Sequence, residues 1–132
     1  MIKRKPLRLK VISGAGRGQR IGVPTLNLAI PQGFELEPGV YACWVRFYFG
    51  FTKRPSAAMM GVMHYGPIPV FAENQYSLEV HLIDQKGPFY PEEIGLKVER
   101  FIRPVQSFPD VGSLVSQIDQ DVKEAQRILG DF

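Results

Sequence analysis

The sequence predicts an all-β protein, about six short strands in a closed or nearly closed antiparallel barrel, with one helix at the C-terminal end. Three observations carry this. Eleven of the thirteen glycines and all eleven prolines fall in the first 110 residues and cut most of them into short pieces. The pieces between them alternate apolar and polar residues or are rich in β-branched and aromatic ones. The final segment changes to a helical period.

The strands follow in order. Leu7 to Ser13 sets Leu7, Leu9 and Val11 against Arg8, Lys10 and Ile12. Thr25 to Ile30 sets Leu26, Leu28 and Ile30 against Thr25, Asn27 and Ala29. Val40 to Phe49 is long and carries Tyr41, Trp44, Phe47, Tyr48 and Phe49, residues that favour strands; Gly50 then offers a turn. Ala57 to His64, Tyr76 to Ile83 and Gly95 to Arg103 complete the set. In the last segment Val111, Leu114, Val115, Ile118, Val122, Ala125 and Leu129 fall on one helical stripe, opposite Gln117, Gln120, Lys123, Glu124 and Arg127. Asp110 is placed to cap its start and Gly130 to follow its end. The stripe reads as a face packed on the barrel.

A chain of 132 residues fits one domain, 1–132, with the barrel over about 7–104 and the helix over about 110–129. Apolar residues make up 45% and charged residues 22%, the balance of an ordinary globular protein. Cys43 is the single cysteine, so no intrachain disulfide forms, and a reducing cytoplasm is the natural setting. The basic start (Lys3, Arg4, Lys5) is followed by an apolar stretch broken by Arg8 and Lys10, which does not make a signal peptide. No stretch approaches the ~20 apolar residues of a membrane span. The net charge of +3 is too small to argue for nucleic acid, though it suits a phosphate-bearing ligand as well as it suits a plain basic surface.

Three segments carry possible chemistry. Gly14 to Gly22 has glycines at 14, 16, 18 and 22 with Arg17 and Arg20 among them. Converging backbone N–H groups and guanidinium groups would make a phosphate-binding flap. The segment lacks the Gly-Lys-Ser/Thr ending of a P-loop and a following helix, and taken alone it reads more readily as a solvated glycine turn. Pro24-Thr25-Leu26-Asn27 comes next: in a strand Thr25 and Asn27 share a face, and a hydroxyl beside an amide carbonyl suits Mg2+. A polar strand face needs no such ligand. Third, Glu79 and His81 share the face opposite Leu78, Val80 and Leu82, and a carboxylate there can accept a proton from a substrate hydroxyl. A cross-strand ion pair is the alternative for Glu79, and His81 has no clustered ligand types around it to suggest a metal.

Taken in order, these pieces resemble the riboflavin kinase family over nearly the whole chain. Gly14–Gly22 is similar to its mobile flap and Pro24-Thr-Leu-Asn27 to its Pro-Thr-x-Asn signature. Gly39-Val-Tyr41, Leu78-Glu79-Val80-His81, Phe89-Tyr90, Phe101-Ile-Arg-Pro104 with Phe108, and Leu114…Gln117-Ile118…Asp121…Ala125 match in turn. The resemblance implies a six-stranded antiparallel Greek-key barrel with a C-terminal helix, and transfer of the γ-phosphate of ATP to the ribityl 5′-hydroxyl of riboflavin, giving FMN. It implies Mg2+ or another divalent metal at Thr25 and Asn27, with Glu79 as general base. The flap at Gly14, Gly16 and Gly18 would cover the phosphates, helped by Arg17 and Arg20. Pro24 belongs to the signature, Phe89 and Tyr90 match positions near the adenine or the flavin, and Arg103 one that holds the second flap or the flavin ring.

Three departures fall on loops near the expected pocket and bear on flavin affinity and flap motion. They are Gly66-Pro-Ile-Pro-Val-Phe71 in place of an Arg-Pro-Thr-Phe type tetrad, Asp84-Gln85 in place of Asp-Phe, and Pro91 where the family has glycine. The chain begins at the kinase barrel, so FAD synthesis is not expected of it. The expected partners are the small molecules riboflavin and ATP, with no nucleic acid and no membrane, for a cytoplasmic monomer. A flavin-binding barrel that senses or carries flavin without kinase activity is the competing reading; a nucleic-acid-binding barrel is a distant third.

Overall fold

The computed structural model describes residues 5–12, 24–50, 54–67 and 75–131. They form β1 (Leu7–Ile12), β2 (Thr25–Leu28), β3 (Gly39–Tyr48), β4 (Met59–Pro67), β5 (Tyr76–Leu82), β6 (Glu93–Arg103) and α1 (Val111–Leu129). The strands close into a barrel in the order β1-β2-β5-β4-β3-β6, and every neighbouring pair is antiparallel. β3, β4 and β5 form a meander, and β6 returns beside β3, which is the Greek-key pattern. The six-stranded barrel with one C-terminal helix is therefore as predicted.

Side-chain alternation makes two cores. Inward residues, among them Leu9, Leu26, Leu28, Cys43, Val80 and Leu96, fill the barrel. Gly61 also faces inward, and a Cβ there would stand 3.2 Å from Cys43 Sγ, Val45 and Val80, so the wall approaches closely only because that position is bare. The second core lies outside: Val40, Ala42, Val62 and Ile83 meet Ala125, Ile128 and Leu129 of α1. Each of these larger side chains contributes roughly 1.5–3 kcal/mol by leaving water.

Several boundaries differ from expectation, each for a local reason. β2 stops at Leu28, because Pro31 cannot donate to a ladder and restricts the residue before it, although the Ala29 N–H still donates to the Lys10 carbonyl. β4 begins at Met59, since Ser56 already pairs with Phe47 through main chain and hydroxyl, and it runs on to Pro67. β6 starts earlier, at Glu93, because Glu93 and Ile94 find partners on both sides, in β1 and β3. Gly130 ends α1 in right-handed geometry (φ −65°, ψ −14°), donating to Gln126, rather than as a left-handed glycine beyond the end. At the start, Asp110 accepts from the Ser113 N–H at 2.7 Å, as expected of an N-cap.

The helical stripe is only partly core. Val111 is 59% exposed, and the burial of α1 concentrates at Asp121, Ala125, Ile128 and Leu129. Asp121 is there because β6 sends it a partner. Two register shifts against β3 leave Glu99 and Ile102 as extra residues on β6. The second lets Ile102 and Arg103, neighbours in sequence, both serve the helix side: Ile102 packs on the outer core while Arg103 reaches Asp121. The Arg103 guanidinium meets the Asp121 carboxylate with two bonds of 2.8 Å, and Gln117 Nε2 donates to the same carboxylate at 3.0 Å.

Two outcomes follow for stability and reactivity. Asp121→Ala strands a partly buried guanidinium, 16% exposed, and should cost up to about 3–5 kcal/mol in urea unfolding, whereas a loss below about 1 kcal/mol, the worth of an exposed pair, would show that the bridge does not anchor α1. Cys43 is wholly buried and burial pushes its thiol far above the usual cysteine range. It should stay unmodified by a thiol reagent in the native protein and react once urea unfolds it.

Candidate active site

β2 and β5 lie side by side in a register that pairs Thr25 with His81, Leu26 with Val80 and Asn27 with Glu79. Leu26, Leu28, Leu78, Val80 and Leu82 point into the barrel, so Thr25, Asn27, Glu79 and His81 all lie on its outer face, half-buried. Directly opposed side chains in an antiparallel pair stand about 4.5–5.5 Å apart at Cβ. The Glu79 carboxylate is thus set beside the Asn27 amide, one cross-strand row from the Thr25 hydroxyl.

That row continues round the barrel. Glu79 pairs with His64 of β4, His64 with Val40 of β3, and Val40 with Arg103 of β6. Asn27, Glu79, His64, Val40 and Arg103 therefore form one line across five strands. At roughly 4.8 Å per strand, Arg103 lies about 14 Å along the wall from Glu79.

Pro24, just before β2, is held from two sides. His81 Nδ1 lies 3.0 Å from its carbonyl oxygen. Gly87, in the loop joining β5 to β6, sits against the proline ring, and a Cβ added there would be 3.4 Å from the Pro24 Cβ. The same loop begins at Asp84, whose positive φ of 59° is a conformation that Asp tolerates better than most residues. Gln126 of α1 donates to Asp84 at 3.4 Å. Farther along, Phe89 packs half-buried against Phe47, ring centroids 5.5 Å apart, while Tyr90 is 80% exposed. Phe89 anchors the loop and Tyr90 offers a ring to solvent. Pro91 is buried.

Arg103 is placed differently from a group waiting for ligand. Nε and Nη2 are committed to Asp121, and Nη1 donates to the Pro104 carbonyl at 3.1 Å and to Gln106 at 3.5 Å. Its first duty is to fasten α1 to β6. Gly14, Gly16, Arg17, Gly18 and Arg20 lie outside the described residues, as does the loop at 68–71.

Sequence reasoning missed two members of this region. His64 was read only as the end of a strand; nothing in its spacing from Glu79 shows that the two pair, because the pairing of β4 with β5 is not a local property of either segment. Asp121 was read only as a matching helical residue. A lone acid on an apolar stripe was the available signal that a buried cation would meet it.

Oxygen donors on Thr25 and Asn27 are of the hard type that Mg2+ prefers, and both are neutral. Such a pair fits a divalent cation that draws its remaining ligands from water and a polyphosphate. Among the described residues no three His, Cys, Asp or Glu side chains cluster to hold a metal by themselves.

The fold is a closed six-stranded antiparallel barrel with a C-terminal helix, and comparison with known proteins gives its family. The family model described as Flavokinase: Riboflavin kinase matches residues 4–129. The chain belongs to the riboflavin kinase family. It is 28% identical over 130 residues to the human riboflavin kinase, covering 92% of this chain and 79% of that protein. It is 32% identical over 120 residues to the bifunctional riboflavin kinase/FMN adenylyltransferase of Buchnera aphidicola, covering 89% of this chain. The chain spans 36% of the length of that bifunctional relative. The crystal structure of riboflavin kinase from Trypanosoma brucei superposes with a TM-score of 0.70 at 19% identity, over 96% of this chain and 82% of that one, which speaks to the fold.

Proposed function

We propose that this chain is a riboflavin kinase, transferring the γ-phosphate of ATP to the ribityl 5′-hydroxyl of riboflavin to give FMN and ADP. The observation that carries this reading is the Asn27–Glu79 pairing: a carboxylate and neutral oxygen donors, far apart in sequence, meet on one outer face. A barrel that merely carried flavin would have no use for that pairing.

In the transfer, a bond forms between the ribityl oxygen and the γ-phosphorus while the bond from that phosphorus to the bridging oxygen of ADP breaks. Glu79 orients the hydroxyl and takes its proton as the new bond develops, passing it afterwards to water. Thr25 and Asn27 would hold Mg2+ against the nucleotide, where the ion supplies neutralisation of phosphate charge. The loop at 84–92, fastened at Pro24, at α1 and in the core through Phe89, is placed to keep water from competing for the phosphoryl group. His64, next to Glu79 in that row, offers the flavin a surface that ends where α1 covers Val40. All these residues come from one chain, so a monomer suffices. No described helix is long and apolar enough to cross a membrane, and the buried, lone thiol suits a cytoplasmic enzyme.

The direct test mixes the protein with riboflavin, ATP and Mg2+ and separates the flavins by chromatography. FMN should accumulate with time; bound but unconverted riboflavin would mean a flavin carrier. Glu79→Gln should lower kcat by roughly 10²–10⁴-fold, the usual scale for a general base, with riboflavin affinity little changed. Wild-type turnover in that variant removes Glu79 from the mechanism. Thr25→Ala combined with Asn27→Ala should raise the Mg2+ concentration needed for half-maximal rate, and an unchanged requirement refutes their role as ligands.

A further inference from the structure

We infer that His81 is a positioning residue of this site, holding the Pro24 carbonyl so that the Thr25 hydroxyl is already aimed when a divalent cation arrives with nucleotide. The inference rests on the riboflavin kinase reading and deepens it.

The bond itself fixes the chemistry of the ring. A carbonyl oxygen only accepts, so the 3.0 Å contact between His81 Nδ1 and Pro24 O requires the proton on Nδ1. It joins residues 57 positions apart, from the strand that carries Glu79 to the residue that precedes Thr25. Pro24 is well suited to be held this way. Its ring locks φ near −65°, leaving ψ as the one soft torsion before the Pro24–Thr25 peptide. Tying down the carbonyl removes that freedom, and packing against Gly87 braces the ring. Thr25 is β-branched, so once its backbone is set few χ1 choices remain for the hydroxyl. Thr25 also pairs directly with His81 and is the first residue of β2, where a strand would otherwise fray. A flexible donor would lose affinity in being ordered at the moment of binding; this one is ordered beforehand.

A cross-strand bond that served only stability would leave metal binding alone, and the two roles separate experimentally. The probe is Mn2+ bound in the presence of ADP, followed by electron paramagnetic resonance, with thermal melts recorded alongside. His81→Ala and His81→Gln should each weaken Mn2+ binding roughly tenfold, the lower end for residues that orient metal ligands. His81→Asn, whose amide N–H can stand where Nδ1 stood, should remain within about twofold of wild type on the same scale. In a Thr25→Ala background, His81→Ala should add little, because the residue through which it acts is gone. Wild-type Mn2+ affinity in His81→Ala overturns the inference, as do equal losses in both backgrounds or an Asn variant no better than Ala. Should His81→Ala not fold, the contrast between Asn and Gln decides alone. Wild-type protein that binds no Mn2+ with ADP and forms no FMN overturns the kinase reading and the inference with it; FMN formation by wild type with unaltered Mn2+ binding in every His81 variant overturns the inference only.

Discussion

The register of β2 on β5 is the constraint on which the rest of the structure depends. A slip by one residue would turn Thr25 and Asn27 into the barrel and expose Leu26 and Leu28. β2 is only four residues long, so its own ladder is a weak guarantee. What holds it is burial on one face and neighbours on both edges. Leu26 and Leu28 are buried with Leu78, Val80 and Leu82, and β1 pairs Val11 with Leu28 and Ile12 with Asn27 on the far edge. At roughly 1.5–3 kcal/mol for each apolar side chain withdrawn from water, a slipped strand loses more than its hydrogen bonds could return. The placement of Thr25 and Asn27 outside the barrel is thus dictated by packing inside it.

The same logic shapes the other end of the line. Glu79, His64 and Val40 need only regular pairing, but Arg103 reaches α1 because β6 carries extra residues against β3. The irregular strand lets one segment serve the helix with an apolar and a charged side chain in succession. A buried ion pair is poor evidence for stability as such. Here it specifies where α1 sits on the outer wall.

Much of this was legible in the sequence. Alternation in β1 and β2, aromatic content in β3 and glycine or proline breaks around the others located all six strands, and the helical stripe with Asp110 located α1. Thr25 with Asn27, and Glu79 with His81, were each assigned to one face correctly because side chains alternate along a strand. The sequence was silent where position depends on pairing between strands. No local signal tells that Asn27 faces Glu79, that His64 joins the row, or that Glu93 and Ile94 extend β6 by pairing on both sides. Asp121 illustrates the limit well: its burial makes sense only once a bulge on another element has delivered Arg103. The glycine-rich segment with Arg17 and Arg20 lies outside the described residues.

In the proposed reaction a carboxylate and two oxygen donors serve one reaction centre. A crystal structure of the protein with ADP, Mg2+ and FMN tests that most directly. The ion should rest on the Thr25 and Asn27 oxygens, with the FMN ribityl oxygen within hydrogen-bond reach of Glu79. Ligands bound on a different wall of the barrel, with Glu79 facing solvent, would contradict it.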